Sequence, residues 1–171
     1  MRLIRIYEFL DTSAMKELKK AKRDHSKRVA DLTKQLSNSE DIYNAAYYHD
    51  YLERSGNREK MGEVLSFYSH TLVILLTNKE GEDALHSLKK KLKGSNKKIK
   101  DDTIIIKTCD RIDNLLKRKR EGKLTKKYIR KSADLFKYMY NNYSRQKQLK
   151  KFIKKNLLSE MPELRRFIKF K

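Results

Sequence analysis

Apolar residues recur every three or four positions along most of this chain, the spacing that stacks them on one face of a helix. Leu18, Ala21, His25, Val29, Leu32 and Leu36 keep that rhythm. They predict one amphipathic helix over residues 14–36, with His25 inside its apolar stripe. Ser37-Asn38-Ser39-Glu40 follows in the form of a capping box, with Ser37 bonding the backbone N–H near Glu40. A second helix is predicted over residues 40–54. Ile42, Ala45, Ala46 and His49, with Leu52 and Glu53, share its inner face, and Gly56-Asn57 ends it in a turn. A third helix over residues 59–77 points Val64, Leu65, Tyr68, Leu72, Leu75 and Leu76 inward. Gly81 breaks it, and a lysine-rich helix covers residues 82–93.

Gly94-Ser95-Asn96-Lys97-Lys98 reads as a loop. Beyond it, Thr103-Ile104-Ile105-Ile106 has the β-branched look of a strand, yet Cys109, Ile112, Leu115 and Leu116 keep a helical period. Residues 102–119 are therefore predicted as helix. Asp110 borders its apolar stripe, with Asp113 and Asn114 three and four residues on along the same side. Glu121-Gly122-Lys123 closes it. A tyrosine-rich helix over residues 125–143 turns Tyr128, Leu135, Phe136, Met139 and Tyr140 inward, and Leu149, Phe152, Ile153 and Leu157 continue the period toward Pro162. The fold class is all-α, a single-domain helical bundle. Residues 1–144 form its body, and residues 145–171 form a basic helical extension packed on it.

Length and composition agree with this. The 171 residues suffice for one core, and one proline and five glycines leave helices uninterrupted. The lone Cys109 excludes an internal disulfide and fits a reducing, cytoplasmic setting. No apolar run approaches the roughly 20 residues of a membrane span. Charges inside the first apolar stretch, Met1-Arg2-Leu3-Ile4-Arg5, argue against a signal peptide. The net charge of +21 draws in polyanions such as nucleotides and RNA, although lysine-rich helices also carry solvated faces. Charge names a class of partner and no mechanism.

The chemistry is concentrated in a few residues. His49 followed by Asp50 offers a nitrogen and an oxygen to one divalent ion, and His25 and Asp110 stand as further ligand candidates on other helices. Two imidazoles and two carboxylates suit manganese, iron or zinc better than calcium or magnesium. Such an ion lowers the pKa of bound water to the neutral range.

Four segments, in order, resemble the HD-domain hydrolases. Asp24-His25-Ser26-Lys27-Arg28-Val29-Ala30 is similar to their "HPxxVA" segment, and Ala45-Ala46-Tyr47-Tyr48-His49-Asp50-Tyr51-Leu52-Glu53 to "AALLHDxxED". Leu72-Val73-Ile74-Leu75-Leu76-Thr77-Asn78-Lys79 is similar to "LVxxxTK". Lys107-Thr108-Cys109-Asp110-Arg111-Ile112-Asp113-Asn114-Leu115 resembles "KLADRLHNL", which points to the RelA/SpoT-type branch of small alarmone hydrolases. The likeness spans residues 15–143.

The resemblance implies an HD-type bundle with a metal, usually manganese, held by His25, His49, Asp50 and Asp110. The implied activity is removal of the 3′-pyrophosphate from ppGpp-like guanosine nucleotides by a metal-activated water, with RNA 3′ ends as another possible substrate. Glu53 occupies the first position of the family's Glu-Asp pair, but Arg54 replaces the aspartate. Arg54 either pairs with Asp50 one turn back or grips substrate phosphate, and Glu53 is left to carry the proton chemistry. Asn114 would face the ribose or pyrophosphate, and Arg111 would orient Asp110 or touch substrate. The family's upstream "HxGQxRK" stretch is absent, with Lys19, Lys20 and Arg23 supplying charge near that place. These departures leave an alternative: an impaired HD scaffold that binds nucleotide, RNA or a protein partner without turnover.

Overall fold

The computed structural model describes residues 20–170, and side chains from Asp24 onward. Every regular element among them is helical. Helix α1 is Lys20–Thr33, α2 Glu40–Tyr47, α3 Tyr51–Ser55, α4 Arg58–Val64 and α5 Phe67–Leu76. Helix α6 is Ala84–Leu92, α7 Lys97–Arg120, α8 Lys126–Asn142 and α9 Gln146–Ile153. A wider π-type turn, Lys154–Leu158, and a 3-10 turn, Pro162–Arg166, follow.

Helix α7 is the axis of the molecule. Asn96 caps it by accepting from the Ile99 amide, and its 24 residues extend about 36 Å. Helices α1, α2, α5 and α8 and the π-type turn all pack against it. Residues 102–110 are consecutively buried, so this stretch has no solvent face. That explains the strand-like run Thr103–Ile106: a helix enclosed on every side needs apolar residues all round, and local propensity yields to burial.

Two predicted helices are each broken in two. The helix expected over residues 40–54 stops at Tyr47 and restarts at Tyr51. His49 and Asp50 thus lie in the break and not on a continuous helix, with Asp50 at φ −96°, ψ 0°. Adjacent residues of an unbroken helix point about 100° apart, so the break is what lets both side chains face one point. The helix expected over residues 59–77 is interrupted at Leu65, whose backbone is extended. Ser66 then caps α5, accepting from the Ser69 amide at 3.0 Å. The N-cap of α2 is Ser39, accepting from Ile42, while Ser37 instead accepts from the Ser39 amide. Tyr68, Leu75 and Val64 are only partly buried, and Met61, Leu72, Val73 and Leu76 form the core there.

The chain beyond α8 contributes Leu149, Phe152, Ile153, Leu157, Leu158, Met161, Leu164 and Ile168 to the same core, each at most 5% exposed. A Leu149→Ala variant should lose about 2–5 kcal/mol of unfolding free energy in a urea titration. Truncation after Ser144 should lower the melting temperature sharply or yield insoluble protein. An unchanged melting transition in the truncated chain would show that this segment is an appendage.

Candidate metal centre

His25 reaches the interior from the middle of α1, because it shares a stripe with Val29 and Ala30, both fully buried. His49 comes from the α2–α3 break and Asp110 from the enclosed part of α7. All three are buried, at 7%, 3% and 5% exposure, and offer ligand atoms within 4.8 Å of one another. The Asp110 Oδ1 atom lies 3.6 Å from His25 Nε2 and 3.5 Å from His49 Nε2. Asp50 stands at the lip, a quarter exposed, with Oδ1 3.1 Å from His49 Nε2 and Oδ2 3.8 Å from His25 Nε2.

The back of each imidazole is fixed. His49 Nδ1 bonds the Ala46 carbonyl oxygen at 2.7 Å, one turn earlier. His25 Nδ1 bonds Asp113 Oδ2 at 2.7 Å. Asp113 is itself gripped by Arg28, whose Nε donates at 2.7 Å and whose terminal nitrogen donates at 3.0 Å. Outer partners of this kind set ring orientation and the tautomer in metal sites, turning the remaining nitrogen toward the ion. His49 Nε2 is a buried atom with no hydrogen-bond partner, in a protein where buried polar atoms are almost always satisfied. The donor set His25, His49 and Asp110 therefore fits a divalent transition metal, with Asp50 beside it at the lip.

The electrostatics are those of a buried charge cluster. Burial pushes the Asp110 carboxyl up, but Lys107, His25 and His49 hold it well below the usual carboxylate range. Lys107 Nζ lies 3.0 Å from Asp110 Oδ2, and Asn114 donates to Oδ1 at 2.5 Å. Burial opposes positive charge on His49, yet Asp50 and Asp110 raise its pKa to about 10. Burial likewise opposes charge on His25, and Asp110 and Asp113 raise it. Asp50 is raised by burial and lowered more strongly by His49, to about 2. Cys109 next door is fully buried, and desolvation lifts its thiol far above the range of a nucleophile.

The remaining candidates lie at different distances from this centre. Arg54 is paired with Asp50, the one-turn contact its spacing allows. Glu53 is exposed on α3, with Oε1 accepting from the Asn78 amide at 2.5 Å. Asn114 is beside Asp110, but Arg111 turns away, its guanidinium 5.1 Å from the Tyr128 ring centre. Lys20 and Arg23 begin α1 with side chains outside the described residues, and Lys19 lies outside them altogether. His86 is exposed, and His70 is a partly buried residue against Gly62.

Sequence reasoning missed Arg28 and Lys107 as parts of the centre and gave Asp113 no role. A signal existed: Lys107, Asp110 and Asp113 are spaced by three on one helix, and acids inside an apolar stripe need partners. Lys91 was also missed. Its ammonium bonds the Thr77 carbonyl beside Glu53, and burial together with Lys107 lowers its pKa.

The HD domain family model matches residues 23–115, more than half of the chain and all four ligand candidates. Neither a curated protein nor a solved structure matches the chain.

Asp113→Asn keeps the shape but weakens the hold on His25, and it should reduce Mn²⁺ affinity about 10–100-fold in a calorimetric titration. His49→Ala should abolish binding while the far-ultraviolet circular dichroism stays near that of the parent. Unchanged Mn²⁺ affinity in both variants would place the metal elsewhere.

Proposed function

The chain belongs to the HD-domain family, a family of metal-dependent phosphohydrolases, and from that we propose that it removes the 3′-pyrophosphate from ppGpp-like guanosine nucleotides. The observation that carries the reading is the convergence of two back-anchored imidazoles, His25 and His49, with the Asp110 carboxylate, their ligand atoms all within 4.8 Å of one another. A divalent ion bound there would activate water and polarise a phosphoryl oxygen. Manganese fits this mixed nitrogen and oxygen set, and iron or zinc would also suit it. The segment Lys107–Leu115, so close to the alarmone-hydrolase motif, supports the guanosine nucleotide as substrate.

The chain's own groups divide the remaining work. Glu53 is aimed by its bond to the Asn78 amide through Oε1, which leaves Oε2 to take a proton from the attacking water. Lys107 and Lys91 place positive charge at the inner wall and beside Glu53, where it offsets charge growing on the departing pyrophosphate. Asn114 holds Asp110 from one side and would present its carbonyl oxygen to the ribose. Lys19, Lys20 and Arg23, whose side chains lie outside the described residues, are the proposed substrate-binding cations at the start of the domain.

The Arg54–Asp50 pair favours a second reading, an HD scaffold that binds nucleotide, RNA or a protein partner without turnover. An arginine bonded to the fourth ligand competes with the ion for that carboxylate. Incubation with Mn²⁺ and ppGpp, other nucleotides or RNA, followed by chromatography of products, separates the two.

Glu53→Gln should lower pyrophosphate release by about 10²–10⁴-fold with metal retained. Arg54→Asp should free Asp50 and raise the rate; a higher KM with a lower rate would show instead that Arg54 grips phosphate. A wild type inactive on all of these, with Arg54→Asp active on ppGpp, would establish the scaffold reading.

A further inference from the structure

Basic runs recur along the chain, at residues 89–100, 117–131 and 145–155, and the second of them also carries arginines oriented by an aromatic ring. Between residues 117 and 131 stand nine lysines and arginines against one acid, Glu121. They occupy a hairpin made by the end of α7, the turn closed at Gly122 (φ 66°) and the start of α8. Glu121 forms ion pairs with Lys117 and Lys123, at 3.9 and 3.3 Å, and Lys131 bonds Asp83 at 2.8 Å. Arg120, Lys126, Lys127 and Arg130 are exposed and have no ion pair among the described residues.

Two further arginines are held without a carboxylate. The guanidiniums of Arg118 and Arg111 lie 4.2 and 5.1 Å from the centre of the Tyr128 ring. The buried Nε of Arg111 has no hydrogen-bond partner. A ring fixes the plane of a guanidinium but satisfies none of its five N–H groups, so the exposed Arg118 fork is oriented and left free to donate. Like charges at this density repel one another across a single turn of helix, and an incoming polyanion relieves that repulsion while releasing its own counterions.

We propose that the α7–α8 hairpin is a docking face for the phosphodiester backbone of a nucleic acid. A regular polymer of phosphates matches charges distributed along two helices better than a compact anion does. The hairpin exposes no large apolar side chain, so it lacks the anchor that surface binding to a lipid bilayer uses beyond charge. Arg120 is ten residues beyond Asp110 on α7, about 15 Å along the helix. A strand lying on the hairpin would therefore have an end within reach of the metal centre. The docking face does not depend on what that centre hydrolyses.

The test uses the full chain without added metal and three fluorescein-labelled 20-mers of one sequence: single-stranded RNA, single-stranded DNA and duplex DNA. Anisotropy titrations at several KCl concentrations read affinity and its salt slope. R120E/K127E/R130E should weaken binding at least tenfold and flatten the slope for a single strand by about 2, near 0.7 per lost phosphate contact. The control K147E/K151E/K155E makes the same change in net charge on exposed lysines of the last helical segment and should stay within threefold of wild type. Should the first variant not fold, R120Q/K127Q serves with a smaller loss in the same direction. Preference for RNA over both DNAs would identify the source of the backbone. Equal losses in the two charge-reversal variants, or tighter binding to phosphatidylserine vesicles than to any of the 20-mers, would overturn the proposal.

Discussion

A buried carboxylate is the constraint on which this structure depends. Asp110 lies on α7 where the helix has no solvent face, only 5% exposed. A lone charge there would be very costly, and only close partners make the position tolerable. Those partners come from three places in the chain: Lys107 and Asn114 from the same helix, His25 from α1 and His49 from the α2–α3 break. The requirement to surround one carboxylate therefore helps fix how α1 and α2 approach α7. It also concentrates ligand atoms where water is largely excluded, so the interaction that shapes the fold creates the chemical site.

The next layer follows from the first. Each imidazole needs its far nitrogen satisfied, and the chain uses two devices, a backbone carbonyl one turn back for His49 and Asp113 for His25. Asp113 in turn is raised by burial, but its bond to His25 and the two-point grip of Arg28 hold it below its ordinary pKa. A chain of hydrogen bonds and close contacts thus runs outward from the centre, from Asp110 through His25 and Asp113 to Arg28, which reaches solvent. Arg54 ends the corresponding path from Asp50.

Much of this was legible in the sequence. The apolar period placed His25 inside its helix and marked residues 102–119 as helix despite their β-branched run, and the motif spacing named the ligand candidates. Two features were not legible. The break at Tyr48–Asp50 carries no glycine or proline, because its signal is tertiary: the geometry that lets His49 and Asp50 face one point is set by packing against α7. The bond from Arg28 to Asp113 joins residues 85 positions apart, and no local periodicity reports such a pair. The interruption at Leu65 was hidden because an apolar residue continues the helical rhythm even when its backbone is extended. Ser66, a good N-cap, was the sign that a new helix begins.

In the proposed function His25 and His49 together bind one ion. Electron spin echo envelope modulation of Mn²⁺ added to the purified protein reads directly bonded nitrogen. Two imidazole nitrogens should modulate the echo, falling to one in His49→Ala or to none if the ion is lost. Mn²⁺ bound with no nitrogen modulation, or with a signal indifferent to removal of either histidine, would contradict it.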